Sequence, residues 1–323
     1  MTGYLDTVAH PWTRQHIQTA IMYDFRTVQR SIDQTEGGQL WRGIKELEDA
    51  VWVFSKSTAE LLDEISIFGE RSKDIDFWSR TNEKNAEEYV REVKRKLYYC
   101  TSSLMTVVDI ARAFNKKWPL DDFIEQRDKS FSTPGLHDFL QKLRNFSSHW
   151  RMAQANWIIK SDSKNGIRIA SFVISKDELL EWRDWGSKAR KFIEEAEDNI
   201  DIRDIFTHYK KQLQQYYSWH KGALLDKYSS ILRPFFEYSK IHKGLQQMMM
   251  WNMILSSFKS EMNPYQYLAR YLSSNQIELI LSYEHRSQQQ VDALIRMLDM
   301  EDFCGAQLRA KAMHVFGVKT ITD

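Results

Sequence analysis

Residues 40–68, LWRGIKELEDAVWVFSKSTAELLDEISIF, decide the fold of this chain. Their apolar side chains alternate steps of four and three residues, which places one apolar stripe along a helix. The same alternation returns over residues 86–114, and a polar stretch at 69–80 separates the two segments. The pattern predicts two long antiparallel helices whose apolar stripes face each other.

A third helix is predicted over residues 134–150, after Trp118-Pro119 ends the second one. Thr133 offers a capping hydroxyl, and Pro134 is harmless in a first helical turn because its missing N–H has no partner there. A wheel of 100° per residue separates this helix into two faces. Phe139, Leu143, Phe146 and their apolar neighbours occupy one arc, while Arg144, Asn145, Ser148 and His149 occupy the opposite arc.

Residues 157–174 follow the third helix and have the alternation of a β-hairpin, with Asn165-Gly166 as its turn. Ser175-x-x-Glu178 then predicts a capping box that opens a helix to about Glu197. Further helical patterns continue to the end of the chain. The predicted fold is mainly α: a helical bundle with a long helical hairpin, a small β-hairpin insertion and an additional C-terminal helical region. We divide it into an N-terminal segment (1–35), a helical domain (36–221) and a C-terminal helical region (222–323).

Composition restricts the classes of function. The 323 residues are 42% hydrophobic and 28% charged, and the charges balance to a formal +1, so nucleic acid would have to be bound through local patches. Cys100 and Cys304 lie far apart without metal-ligand spacing, and we expect free thiols in a reducing compartment. No signal peptide or membrane span is recognisable, which predicts a cytoplasmic protein.

The polar arc of the third helix carries the one chemical motif that stands out, Arg144-Asn145-x-x-x-His149. It resembles the HEPN family, in which an Arg is followed after a few residues by a His, often with a polar residue directly after the Arg. The resemblance covers the motif helix and, more loosely, the helical core around it. It implies a HEPN-like helical domain and metal-independent endoribonuclease activity without a cofactor, in which a ribose 2′-hydroxyl attacks the neighbouring phosphodiester.

The chemistry of such a cleavage assigns roles to these residues. His149 would transfer the proton, and Arg144 would stabilise the charge that develops on phosphorus. Asn145 and Ser148 would support them. Because the wheel separates Arg144 from His149 by about 140°, one helix alone does not aim both at one atom. The resemblance and the wheel therefore both favour a homodimer with two polar faces apposed.

The resemblance further implies a toxin or antiviral-defence setting with RNA as substrate and a possible antitoxin or regulatory protein as partner. One alternative is a catalytically silent HEPN-like module that dimerises or binds nucleotide, RNA or a regulatory protein. Another is a solvated helix face on which an acid such as Asp138 pairs with Arg144. A third is a helical scaffold with a Met- and aromatic-rich C-terminal interface. The remaining histidines lack zinc-site spacing; they include His208, His220, His242, His285 and His314.

Overall fold

The computed structural model of the protein describes residues 2–162, 167–197, 199–259 and 261–318. Helices dominate these residues, and the predicted mainly α fold with a small β insertion is confirmed. In chain order the helices are α1 (Arg14–Gln34), α2 (Glu36–Arg71), α3 (Glu83–Lys117), α4 (Phe123–Ser130), α5 (Leu136–His149), α6 (Lys176–Leu180), α7 (Ser187–Glu195), α8 (Ile202–Lys227), α9 (Ser229–Ser257), α10 (Ser274–Leu281), α11 (Gln288–Met297) and α12 (Ala306–Val315). The strands are β1 (Asn156–Asp162), β2 (Ile167–Ser175) and β3 (Asn199–Asp201).

The chain forms two compact units. The central unit is Leu40–Ser229, and the terminal unit joins Met1–Gln39 to Ser230–Asp323. The division into domains that the sequence analysis gave, at 1–35, 36–221 and 222–323, stays a prediction.

The two long helices of the central unit run antiparallel, as the apolar stripes predict. Near one end of the pair, the ring of Phe114 on α3 lies against Gly43 on α2, where an added Cβ would be 2.5 Å from its Cε2 atom. Near the other end, the rings of Phe68 and Tyr89 are 5.8 Å apart. Fully buried side chains between these ends fill the seam from both helices; they include Phe54, Leu61, Ile65, Val93, Cys100 and Leu104.

A small antiparallel sheet packs on this core with strand order β1-β2-β3. Trp157 pairs with Phe172 between the first two strands, which confirms the predicted hairpin. The predicted turn at Asn165-Gly166 lies outside the described residues. The third strand, which the sequence did not indicate, pairs with the end of β2 and extends the hairpin on one side.

The single helix predicted from Ser175 to about Glu197 is wrong. The structure has the short α6, a turn and then α7, which begins after Gly186 at φ +75°. Ser175 makes no capping hydrogen bond from its side chain. The Glu178 carboxylate instead accepts a hydrogen bond of 3.0 Å from the backbone N–H of Gln154. The predicted capping box is therefore replaced by a contact to the connection between α5 and β1.

The terminal unit is built from α1 and α9–α12 with its own apolar core. The backbone N–H of Trp12 donates a 2.9 Å hydrogen bond to the Tyr238 hydroxyl on α9. Pro234 lies inside α9, whereas Pro264 opens a 3-10 turn. Among the described residues, no helix combines the length and apolar character that crossing a membrane requires.

Candidate functional site

Helix α5 divides into a buried face and a polar face. Phe139, Leu143 and Phe146 have no exposed surface. The rings of Phe139 and Phe146 each stack on Trp185, with centroids 5.4 Å apart in both cases. Because these contacts bury the apolar face, the residues on the opposite face point away from the core.

The start of α5 differs from the prediction. The helix begins at Leu136 after Gly135, whose backbone is left-handed at φ +76°, so Pro134 does not lie in its first turn. A Cβ at Gly135 would be 2.5 Å from the carbonyl oxygen of Lys188 on α7. The Thr133 side chain does not cap the helix, since its hydroxyl lies 2.8 Å from His208 Nε2 on α8. The close approach of α7 therefore fixes where α5 begins.

Arg144 and Asn145 lie half-buried in the middle of the polar face. The Arg144 Nη1 atom donates a long hydrogen bond of 3.4 Å to Asn145 Oδ1. Within the described ranges Arg144 makes no ion pair, and Asp138 is not its partner. Its positive charge therefore meets only a neutral amide in this part of the molecule.

Ser148 and His149 are exposed in the last turn of the helix. The backbone N–H groups of Trp150 and Arg151 both bind the Phe146 carbonyl at 3.1 Å, and the helix ends there. In the part of the chain that the structure describes, the His149 ring makes no hydrogen bond and none joins it to Arg144. The two predicted catalytic side chains share one helix without forming a closed pair.

The residue after His149 is an exposed aromatic. Trp150 is 42% exposed, and its ring packs edge-on against Phe146 at 5.1 Å. The Arg151 guanidinium lies 4.2 Å from the centre of the same ring. Arg151 also forms an exposed ion pair with the Glu181 carboxylate at 2.6 Å. Within the described residues, the basic residue nearest in sequence to His149 that makes no ion pair is therefore Arg144.

A second polar cluster, which sequence reasoning missed, lies at the N-terminal end of α5. His137 Nδ1 is 2.7 Å from the Tyr209 hydroxyl, and His137 Nε2 is 2.5 Å from the Gln141 amide nitrogen. Because an amide N–H only donates, Nε2 accepts and the imidazole proton lies on Nδ1. Arg112 Nη2 in turn donates to Gln141 Oε1 at 3.1 Å. Burial lowers the pKa of His137 to about 4, which keeps the ring neutral at pH 7.

Arg112, His137 and Gln141 of this cluster line a cleft of about 460 Å³. Helical spacing is the feature of the sequence that could have revealed this cluster. His137 and Gln141 precede Arg144 by seven and three residues, so all three lie on one side of α5. The motif predicted from the sequence begins at Arg144 and does not include His137 or Gln141.

Two other histidines and one of the two cysteines are buried; they are His220, His242 and Cys100. His220 is buried against the rings of Phe114 and Phe123, and burial lowers its pKa to about 4. Both cysteines are free thiols, as predicted, and burial raises the pKa of Cys100 to about 12. Across the described residues, no cluster of three or more His, Cys, Asp or Glu side chains is placed to hold a metal ion.

No family model, no curated protein and no solved structure matches the chain.

Proposed function

We propose that the protein is a metal-independent endoribonuclease whose catalytic residues are Arg144 and His149. The observation that carries the proposal is that neither member of this pair has a charged partner. A helix with a completely buried apolar face presents a half-buried arginine without a carboxylate partner and an exposed histidine without a hydrogen bond, within the described residues. Both side chains are therefore available for a substrate.

The reaction that suits this pair is transesterification within RNA. The 2′-oxygen forms a bond to phosphorus while the bond from phosphorus to the 5′-oxygen breaks, which leaves a 2′,3′-cyclic phosphate and a 5′-hydroxyl. His149 takes the proton of the 2′-hydroxyl, and the leaving 5′-oxygen receives a proton from an imidazolium or from water. Arg144 donates hydrogen bonds to the non-bridging oxygens, where negative charge accumulates. Asn145 orients the guanidinium, and Ser148 contacts the phosphate.

A homodimer completes the proposed site. Arg144 and His149 point about 140° apart on an ideal helix, so a phosphate bound by one is poorly placed for the other. Apposing two copies of the polar face around a two-fold axis brings the Arg144 of one protomer toward the His149 of its partner. By the motif resemblance, the activity belongs to a toxin or antiviral-defence system in the cytoplasm, where an antitoxin or regulatory protein controls it.

The first prediction tests catalysis directly. Purified wild type should cut single-stranded RNA in the presence of a chelator and leave 5′-hydroxyl ends, detected by their direct labelling with polynucleotide kinase. His149→Ala should lower the rate by a factor of about 100 or more, the usual contribution of a positioned acid or base. Arg144→Ala should lower it by a similar factor because the phosphorane loses its counter-charge.

His314→Ala provides the matched control, since His314 is likewise exposed near the end of a helix but lies on α12. It should cut at the wild-type rate. If wild type, both α5 variants and the control are equally inactive while folded, the chain is not a nuclease by itself. A ligand bound by wild type and lost in the α5 variants would then favour the silent binding module.

A further inference from the structure

The cleft at the N-terminal end of α5 is built from several elements of the central unit. Arg112 comes from α3, Arg127 from α4, His137 from α5, and Lys188 and Lys191 from α7. Phe131, Thr133, Pro134 and Gly135, which precede α5, also line the cleft. None of these residues belongs to the proposed catalytic pair, so the cleft needs its own explanation.

The cleft and Arg144 of the catalytic pair share one side of the helix. His137, Gln141, Arg144 and Ser148 follow each other at steps of four, three and four residues, so they lie within an arc of about 60°. At 1.5 Å per residue, His137 is about 10 Å from Arg144 along the helix axis. A ligand extended along this side would touch the cleft and Arg144 together.

Cations in the cleft are only loosely neutralised. Arg127 pairs with Asp128 at 2.8 Å and Lys191 pairs with Glu195 at 3.6 Å, but all four of these side chains are more than 40% exposed. Exposed pairs of this kind contribute little, and a phosphate can replace the carboxylate at small cost. Within the described residues, Lys188 takes part in no ion pair.

Arg112 is held in place by a neutral partner. Its guanidinium donates to Gln141, which is itself tied through His137 to the buried Tyr209 hydroxyl. The closest carboxylate, Asp109, is 3.9 Å away and exposed. A cation that is oriented by an amide keeps its charge available for a phosphate without first losing a carboxylate partner.

The aromatic side chains that line the cleft pack against other aromatic rings of the protein. Phe131 stacks on Tyr209 at 5.2 Å and lies 5.0 Å from the His137 ring. Phe192 packs on Phe139 at 5.1 Å. Asp128, Asp138 and Glu195 also line the cleft, so its four cations leave a formal charge of +1. With these ring faces covered, the cleft offers a ligand this charge and little surface for base stacking.

We infer that this cleft binds RNA phosphates. These phosphates belong to the same strand as the bond that Arg144 and His149 cleave, and they lie next to that bond. The inference rests on the proposed function, because the strand links the two places. In a two-fold dimer with its axis near the motif, the N-terminal ends of the two α5 helices point away from the axis. Each cleft then lies beside the catalytic centre, on the path of a strand that leaves it.

Binding should be measured in the His149→Ala background, so that cleavage does not interfere. Lys188→Gln with Lys191→Gln removes two cations from the cleft, and both side chains are exposed on α7, where folding should tolerate the change. The matched control is Arg183→Gln with Arg190→Gln, which removes the same charge from exposed positions that do not line the cleft. A fluorescent single-stranded RNA of about twelve nucleotides, within the range that such grooves bind, serves as the probe.

The cleft variant should bind the RNA more weakly than the control and with a smaller salt dependence. Each lost phosphate contact on a single strand lowers the slope of log K against log salt by about 0.7, so the expected reduction is about 1.4. Equal slopes for the two variants would overturn the inference, and so would the absence of RNA binding by the His149→Ala protein at low salt. Displacement of the RNA by a nucleoside monophosphate at micromolar concentration would assign the cleft to a small ligand and also overturn it.

Cleavage by the otherwise wild-type enzyme separates this inference from the proposed function. If both hold, the cleft variant raises KM for the long RNA, while kcat and the cleavage of a dinucleotide remain unchanged. An active enzyme whose KM for the long RNA is unchanged by the cleft variant refutes the cleft alone. An inactive wild type that still shows the expected salt slopes refutes the proposed function and leaves phosphate binding in the cleft supported.

Discussion

Two histidines on α5 have opposite surroundings. His137 is tied to Tyr209 and Gln141 in a largely buried cluster, and burial lowers its pKa to about 4. His149, three turns further along, is exposed and free of hydrogen bonds to the described residues. The residue type is the same, but only the second imidazole is accessible to a ribose hydroxyl. Burial therefore suits His137 to hold Gln141 in position, while exposure suits His149 to catalysis.

The second prediction concerns the pH dependence of stability. Below pH 6.5 the unfolded chain protonates His137, whereas the folded protein does not do so until about pH 4. The unfolded state binds more protons in this window, so the free energy of unfolding falls as the pH is lowered from 6.5 to 4. His137→Gln should remove roughly 1 to 3 kcal/mol of that fall. Urea titrations at several pH values measure it.

Tyr209→Phe serves as the control for this experiment. It removes the hydroxyl that binds His137 but keeps the buried imidazole, and burial is the main cause of the lowered pKa. The control should therefore lose stability at every pH and keep the wild-type pH dependence. A His137→Gln curve parallel to that of wild type between pH 6.5 and 4 would contradict the assignment.

The third prediction concerns Gly135, which starts α5. Any side chain there must adopt φ +76° and place its Cβ 2.5 Å from the Lys188 carbonyl oxygen. Gly135→Ala should lower the free energy of unfolding by about 1 to 3 kcal/mol. Gly222→Ala is the control, because this glycine lies inside α8 with no atom within 4 Å of the added Cβ. The control should be neutral or stabilised by about 0.5 to 1 kcal/mol. Equal melting temperatures would show that α7 does not press on this position.

At the scale of elements, the helical hairpin was the easiest part to predict. The four-three alternation continues without interruption over both helices, and most of the residues that it selects are buried. The pattern does not say how closely the helices approach. At Gly43 the ring of Phe114 lies where a side chain would begin. A glycine inside a predicted helix is an ambiguous signal, because it equally well marks a weak point in the helix.

The fourth prediction tests this close approach. Gly43→Ala forces the Phe114 ring aside, and overpacking of this kind costs about 1 to 3 kcal/mol. Replacing Phe114 by Leu makes room, so the double variant should be more stable than the two single effects predict. A double-mutant cycle from denaturant unfolding should give a coupling of at least about 0.5 kcal/mol. Strict additivity would mean that the helices are not in contact at these residues.

The errors of the sequence analysis lie where a turn is set by tertiary contacts. Ser175 and Glu178 have the spacing of a capping box, but Glu178 binds the backbone at Gln154 instead. Thr133 has the spacing of a cap, but its hydroxyl contacts His208. In each case a local pattern competed with a partner from a distant segment, which a single sequence does not reveal.

The candidate site was predicted in part. The polar face with Arg144, Asn145, Ser148 and His149 follows from helical periodicity, and the structure places these residues on the exposed side of α5. The cleft beside it was missed, because its charges come from three other helices. Their proximity depends on how α3, α4 and α7 pack around α5, and no spacing within the sequence encodes it.

The charge of the whole molecule gives no hint of this cleft. A formal net charge of +1 includes 45 basic and 44 acidic residues, and it predicts no long-range attraction of RNA. Many of the ion pairs on the described surface join residues three or four positions apart on one helix, and each is nearly neutral at a distance. Against this background, a few loosely paired cations in one cleft can determine where a phosphate chain binds.

The fifth prediction concerns assembly. If each catalytic centre takes Arg144 from one protomer and His149 from its partner, mixing inactive Arg144→Ala with inactive His149→Ala should restore cleavage. After subunit exchange at equal concentrations, half of the dimers are mixed and each holds one intact centre. Activity should therefore recover to about a quarter of the wild-type value. Either variant alone, exchanged with itself at the same total concentration, gives the baseline. Mixed dimers verified by mass spectrometry that remain at that baseline would show that both residues must come from one chain. In that case the angle between them on α5 would have to be overcome by side-chain reach alone.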